Sequence, residues 1–364
     1  MDKGRVFGLD VLRALAILFV ILAHGSALLG DSAMGSFIRT ISLDGVSIFF
    51  VLSGFLIGKI LIRTLDSGQS STAALFNFWK RRWFRTLPNY FLVLFILLAY
   101  YFYMGRKDWS GIWHFFTFTQ NFALPHPPFF QEAWSLSVEE WFYLLVPFVL
   151  WILVGALKLP VKWTVPVVAL TVIYLSTDIR VAIFNMSEMT AGEPGQLHLW
   201  DIYIRKTVVT RLDSIMFGVI GAWLATYFAN SWRRFKTPLF ILGVLMLILH
   251  RWLFFQKMDN INTYMVVYSF TLMSLGTLFL LPFLSEWRSS NSRLSRFFTW
   301  TSILSYSMYL LHFSLILNIL IRRSSIVEMN SGIQFIIFIA LTYGLSFLLY
   351  HSYEKRMTRL RDKF

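Results

Sequence analysis

The sequence predicts an all-α, polytopic transmembrane bundle of about ten spanning helices. Three observations predict it: apolar runs near twenty residues recur along the 364-residue chain, 57% of its residues are hydrophobic, and only 14% are charged. A typical soluble domain carries about 25% charged residues. A soluble core of this size could not hide so much apolar surface, whereas lipid can, being itself an apolar solvent. Aromatic residues make up 18% of the chain, and amphipathic rings are stable at membrane interfaces.

The stretch from Phe7 to Leu29 follows a short basic start, Met1 to Arg5, and reads as an uncleaved first span rather than a cleaved signal peptide. Further spans are predicted over 44–62, 87–103, 137–156, 163–179, 211–229, 237–255, 264–284, 300–321 and 333–352. Each can cross a hydrocarbon core of ~30 Å at ~1.5 Å per residue. The third and fifth are the least distinct. The segment Ile112 to Phe122 is apolar but short, and reads as interfacial or re-entrant. The longest outer loop, from about Ser176 to Thr210, contains NMSEMTAGEPGQLHLWD, whose Gly and Pro predict an irregular lid or substrate loop. The remaining loops hold no soluble domain, so residues 1–364 read as one membrane domain.

The net charge is +14. In a soluble protein that would suggest nucleic acid. In a membrane protein, basic loops orient the helices and meet anionic lipid, so lipid rather than nucleic acid is the expected partner. With the N-terminus inside, the predicted inner segments hold 20 Lys and Arg and the outer segments 11. The positive-inside rule therefore favours N-in, C-in and an even number of spans. The chain has no cysteine, which excludes disulfides, cysteine-ligated metal and any thioester on the protein itself. His114, His126 and His198 lie in outer loops at no metal-ligand spacing, and no metal is expected.

An ionisable residue within a span is a functional hypothesis by default, because its burial is costly unless it is paired. The first span, FGLDVLRALAILFVILAHG, carries Asp10, Arg13 and His24. Arg13 and His24 are close to three helical turns apart, which puts them on one face separated by ~16–17 Å. Arg13 falls near the cytoplasmic mouth and His24 in the outer half, and Asp10 can pair with Arg13. A snorkelling arginine and a histidine bonded to a carbonyl explain this spacing equally well. The fourth span opens with EAWSLSVEEWFYLLVP. Glu139 and Glu140 point about 100° apart, so at most one faces a given partner. Helix capping by Ser137, with Glu140 at the third position, is the alternative. The inner loop FNFWKRRWFRTLPNY carries Lys80, Arg81, Arg82 and Arg85. Arg82 and Arg85 could clamp one anionic group if helical, although topology alone also explains a basic loop. His312 within SYSMYLLHFS reads equally as a packed, satisfied histidine. His351 and Glu354 fall at the inner end of the last span, and Arg211 and Asp213 open the sixth.

These blocks, in this order, resemble the acyltransferase-3 family of membrane O-acyltransferases over nearly the whole chain. FGLDVLRALAILFVILAH resembles the family's first-helix signature, with its arginine and histidine, and GVSIFFVLSGFLIGKIL the second. RRWFRTLPNY resembles its cytoplasmic Arg-x-x-Arg motif. FTQNF, WSLSVEEWFY, RLDSIMFGVIGA, YSMYLLH and YEKRMTRLR resemble later blocks. Some members carry an acidic residue where this chain has Ser47, so Ser47 is assigned no role. Several members continue into a soluble esterase-like domain. This chain ends at Phe364, so a separate periplasmic esterase-like or glycan-assembly partner is expected to supply any such activity.

The resemblance implies transfer of an acyl group, commonly acetyl, from cytoplasmic acetyl-CoA (an acyl-CoA) to a hydroxyl of a carbohydrate acceptor. That acceptor would be a lipopolysaccharide O-antigen, capsule or exopolysaccharide, modified at the bacterial cytoplasmic (inner) membrane. It implies His24 as general base, since neutral imidazole titrates near working pH. Glu140 would orient His24, with Glu139 as the alternative. Arg13, Arg82, Arg85 and Arg81 would hold the donor's phosphates or polarise its thioester carbonyl. Two competing readings are acylation of a small molecule such as a macrolide, and a polytopic exporter without bond chemistry, which would leave the ordered motif blocks unexplained.

Overall fold

The computed structural model describes residues 5–186, 195–257, 261–288 and 292–360. Among them are helices only. Ten long helices are numbered here in chain order: α1 Phe7–Gly25, α2 Gly45–Asp66, α3 Thr72–Tyr103, α4 Ala133–Leu150, α5 Val161–Met186, α6 Leu212–Tyr227, α7 Lys236–Lys257, α8 Ser269–Leu284, α9 Arg293–Leu311 and α10 Ser331–Leu349. Four start where a polar side chain accepts a free backbone N–H of the first turn: Asp44 from Val46, Ser71 from Ala74, Ser292 from Ser295, and Asn330 from Gly332. Several helices continue into wider turns, among them Trp151–Ala156, His312–Ile321 and Tyr350–Glu354.

Nine of these helices, with their continuations, are long and apolar enough to cross a membrane; α6, at 16 residues, is the shorter exception. Sixteen residues rise about 24 Å. Yet α6 runs parallel to α2 from end to end. At one face Arg211, which precedes α6, donates to Ser47 Oγ at the start of α2 (2.7 Å). At the other, Tyr227 donates to Asp66 at the end of α2 (2.7 Å). Thus α6 crosses the layer that α2 crosses, giving ten crossings among the described residues. The start of α1 and the end of α8 share the inner face, where Gly8 N–H donates to the Trp287 carbonyl.

The predicted start of the third span changes most. The third helix begins at Thr72, not at residue 87, because Ser71 caps it; the basic inner "loop" is therefore helical. The segment Ile112–Phe122 is tucked into the outer end of the bundle. Tyr90 donates to the Phe115 carbonyl (2.8 Å), and the Asn121 amide donates to the Trp134 and Lys206 carbonyls. Of the Gly- and Pro-bearing outer loop, residues 187–194 lie outside the described residues. Its second half forms a short helix, Gln196–Leu199, and a wide turn, Trp200–Arg205.

The centre of the bundle is α2 against α6, brought together by glycine. A Cβ on Gly54 would sit 1.9 Å from the Ile215 carbonyl oxygen, and one on Gly218 would sit 2.0 Å from that of Val51. Small residues let membrane helices approach this closely, and the gain is packing. Gly218→Ala must push the two backbones apart. It is expected to lower stability by about 1–3 kcal/mol, the usual cost of overpacking. Gly344→Ala, which meets open space, is the matched control, and thermal unfolding in detergent compares the two. The outward faces of α5, α7 and α10 expose large apolar side chains such as Leu170, Leu245 and Ile336, as a lipid-facing rim requires.

Candidate active site

Of the cavities within the bundle, two lie one toward each face. The inner one spans about 910 Å³, its open mouth included, and is lined by Arg13, Arg82, Arg85, Glu139, Tyr143 and Tyr306 among others. The outer one encloses about 1520 Å³ and is lined by His24, Arg39, Asp44, His198, Trp200 and Arg205 among others. Val46, in the first turn of α2, lines both. The arginine and the histidine of α1 thus open into different chambers.

In the inner chamber, Arg13 is held from below by buried Asp10. Its Nη1 lies 3.4 Å from Asp10 Oδ1 and 3.3 Å from Ser302 Oγ. Arg5 grips the same carboxylate through Nε (3.0 Å) and Nη2 (2.6 Å), and Ser302 Oγ donates to it at 2.8 Å. Such charge-assisted pairing offsets the cost of burying Asp10. Because α3 starts early, Arg82 and Arg85 sit one turn apart on a helix and both line this chamber. Arg85 lies within electrostatic reach of Arg13, Glu139 and Glu354. Arg82 also borders a neighbouring cavity between α2 and α3, and Arg81 lines that cavity rather than the chamber itself. Glu139 faces the inner chamber, beside Tyr143, whose hydroxyl is 2.8 Å from Ser53 Oγ.

Glu140 departs from expectation. It accepts a hydrogen bond from Thr86 Oγ1 on α3 at 2.7 Å, in the inner half of the bundle. Neither glutamate bonds His24. The expected opening of α4 at residue 137 places the pair near the outer face, but the helix opens at Ala133, which carries them ~10 Å inward. The partner of His24 is His312: Nδ1 of the former lies 2.8 Å from Nε2 of the latter. His312 is fully buried, and its Nδ1 lies 2.8 Å from the Tyr309 carbonyl oxygen. Of the other polar intruders, Glu354 joins the core by accepting from Asn89 and Ser307, whereas His351 is exposed against Trp300 and Phe347.

The outer chamber rests on a layer of alternating charge that the apolar runs give no hint of. Asp44 accepts from Ser47 Oγ (2.7 Å) and lies 3.6 Å from Arg205 and 4.0 Å from Arg211. Ser47, without assigned role from sequence, thus links Asp44 to Arg211. Arg180 and Asp213 form a buried pair at 2.7 Å, with Arg180 also donating to the Thr210 carbonyl. Asp201 pairs with Arg205 (2.7 Å) and Lys206 (2.5 Å). Burial works against the Asp201 carboxylate, but those two cations outweigh it and hold its pKa below the ordinary value. Glu132, just before α4, is pushed up to about 7 by burial, against the hydrogen bonds it accepts from Ser314. Among the described residues there is no group of three or more His, Cys, Asp or Glu that could hold a metal ion.

The fold and these chambers define a polytopic membrane protein with a guanidinium-lined chamber on one side, a histidine-bearing chamber on the other, and one residue between them. The chain belongs to the acyltransferase-3 family, whose acyltransferase domain matches residues 6–351. The motif blocks read from the sequence pointed to the same family. Peptidoglycan O-acetyltransferase OatA of Listeria monocytogenes is 33% identical over 178 residues, covering 44% of this chain and 26% of that protein. The putative peptidoglycan O-acetyltransferase YrhL of Bacillus subtilis is 34% identical over 157 residues, covering 38% and 23%. O-acetyltransferase OatA of Staphylococcus aureus is 25% identical over 336 residues, covering 85% of this chain and 50% of that protein. The chain therefore matches half or less of the length of these curated relatives. No solved structure matches it.

Proposed function

We propose that this protein is a membrane O-acetyltransferase. It takes an acetyl group from acetyl-CoA in the inner chamber and gives it to a hydroxyl of a cell-envelope carbohydrate in the outer one. The observation that carries the reading is the pair of chambers meeting at Val46, with Arg82 and Arg85 on one side and His24 on the other, in a chain of the acyltransferase family. Coenzyme A is a phosphate-rich anion on a long flexible arm. Guanidinium forks suit its phosphates, and the arm brings the thioester toward the partition. Relatives named for peptidoglycan O-acetylation favour a cell-wall glycan as the acceptor. The basic inner face favours the bacterial cytoplasmic membrane, with both termini inside.

The step itself is a direct transfer. His24 takes the proton of the acceptor hydroxyl as its oxygen bonds to the thioester carbonyl carbon. Negative charge gathers on the carbonyl oxygen, where a guanidinium of the chamber walls is the candidate donor. A positioned donor of this kind is typically worth ~3 kcal/mol. The carbon–sulfur bond then breaks, and the thiolate recovers the proton from the imidazolium. Glu139, facing Arg85 and Tyr143, keeps the arginine face of the chamber ordered, and Glu140 ties α4 to α3 through Thr86.

The deciding experiment is transfer of label from radiolabelled acetyl-CoA by purified protein in lipid, with mass spectrometry of surface glycans from cells with and without the protein. An acetyl increment that depends on the protein names the acceptor. No transfer and no change in glycan mass overturn the reading in favour of transport. Within this scheme, Arg82→Ala and Arg85→Ala each remove a charge-assisted contact of about 1.5–3 kcal/mol. Each is expected to raise the KM for acetyl-CoA about ten-fold or more. Arg81→Ala, one cavity away, is expected to do less.

A further inference from the structure

The hydrogen bonds around His312 determine which nitrogen of His24 carries a proton. The Tyr309 carbonyl oxygen, 2.8 Å from His312 Nδ1, can only accept, so Nδ1 is the protonated nitrogen of that ring. A neutral imidazole has one N–H, so His312 Nε2 holds a lone pair. That lone pair lies 2.8 Å from His24 Nδ1, which must therefore be the donor. What remains on His24 is the lone pair of Nε2, and no described residue bonds it. A doubly protonated His312 would break this chain of reasoning. However, the ring is fully buried and packs against His24, Tyr309 and Phe313. No carboxylate among the described residues lies within hydrogen-bond distance of it, so the charged form would be a buried ion without a counter-ion.

The backbone supports the arrangement. The helix widens from His312 to Ile321, so that Arg322 N–H reaches back five residues to the Leu317 carbonyl; wide turns of this kind gather at functional sites. The turn is pinned from the other side of the bundle: Ser314 N–H donates to Glu132 Oε1 at 3.1 Å, and Tyr309 Oη donates to the Glu132 carbonyl at 3.1 Å. His312 is thus held on both flanks, and its ring stacks on that of His24 with centroids 5.0 Å apart.

We propose that His312 is a positioning residue that locks His24 in the Nδ1–H tautomer, presenting the Nε2 lone pair to the acceptor hydroxyl. The proposal rests on the reading of His24 as general base. The proton balance is simple. The hydroxyl proton moves to His24 Nε2 and leaves from Nε2 to the departing thiolate. His24 Nδ1–H and His312 Nδ1–H stay in place throughout, and His312 Nε2 accepts more strongly while His24 is charged.

The test compares two replacements. His312→Gln keeps a side-chain carbonyl able to accept from His24 Nδ1–H; His312→Leu fills similar space without an acceptor. His312→Leu is expected to lower kcat roughly a hundred-fold, the scale of general-base catalysis, with the KM for acetyl-CoA unchanged. His312→Gln is expected to stay within about ten-fold of wild type. Equal losses in both variants, or a fully active His312→Leu, overturn the proposal. A second readout needs no turnover: ¹⁵N spectra of ring-labelled histidines in lipid nanodiscs, with His24 assigned by its replacement. Wild type is expected to show His24 protonated at Nδ1 and bare at Nε2, and an Nε2–H His24 overturns the proposal. Should His24→Ala still transfer acetyl, the base assignment fails, while the ring spectrum continues to decide the tautomer.

Discussion

Replacement of His24 by alanine is expected to abolish acetyl transfer while leaving the protein at its normal level in the membrane. The side chain lines the outer chamber and is only half-buried, with one hydrogen-bond partner, His312. Its removal widens a wall of the outer chamber instead of opening a hole in packed core, so the fold has little to lose. The reaction has more to lose. A positioned general base contributes about 10²–10⁴-fold, or roughly 3–5 kcal/mol of barrier at 1.36 kcal/mol per decade. The loss should appear in kcat. The KM for acetyl-CoA should hold, because the guanidinium groups that would bind the donor line the other chamber. Acetylation of surface glycan by a His24→Ala protein at wild-type abundance would remove His24 from the chemistry.

The largest effect on stability is expected from Asp213→Ala. Arg180 and Arg211 are both fully buried. Asp213 pairs with the first at 2.7 Å and acts electrostatically on the second. Removing one partner of a buried pair strands the other charge, at a typical cost of 3–5 kcal/mol. Arg180 is stranded here, and Arg211 is left with Asp44 and Ser47. Asp201→Ala makes the informative contrast: its ion pairs with Arg205 and Lys206 are partly exposed, and pairs of that kind contribute at most about 1 kcal/mol. A thermal melt in detergent should separate the two variants clearly. Asp213→Ala unfolding at the wild-type temperature would show that Arg180 finds other compensation, its Thr210 and Thr177 contacts being the candidates.

Much of the fold is legible in the chain because lipid imposes a simple code: each crossing needs a long apolar run. The code fails where something other than hydropathy sets the boundary. The inner half of α3, FNFWKRRWFR, is too basic to register as a span, yet Ser71 caps it and the helix runs unbroken into the membrane. The chemistry is legible only in part. Arg13 and His24 share one helix, so spacing alone puts them on one path, but it cannot show that they open into separate chambers. His312 comes from 288 positions along the chain, and no local pattern announces which histidine will stack on which. The pairing of a glutamate with His24 fails by a few residues of helix start, since two turns of α4 above Glu139 carry both carboxylates to the depth of α3. Asp44 and Ser47, one turn apart at the start of α2, meet Arg205 and Arg211 only when the chain folds, and individually each looks like a loop residue or a cap.

The single residue shared by the two chambers has a consequence for the cell. An enzyme that draws from one compartment and delivers to another could short-circuit the membrane it sits in, because an open passage lined by arginine and histidine would leak protons and small ions. The side chain of Val46 offers them neither charge nor hydrogen bond, and it stands on α2, clamped against α6 through glycine. Under the proposed chemistry, the thioester end of the carrier's arm is the only part of the donor that needs to reach this partition. In that scheme the nucleotide of the donor stays on one side of the partition and the sugar on the other.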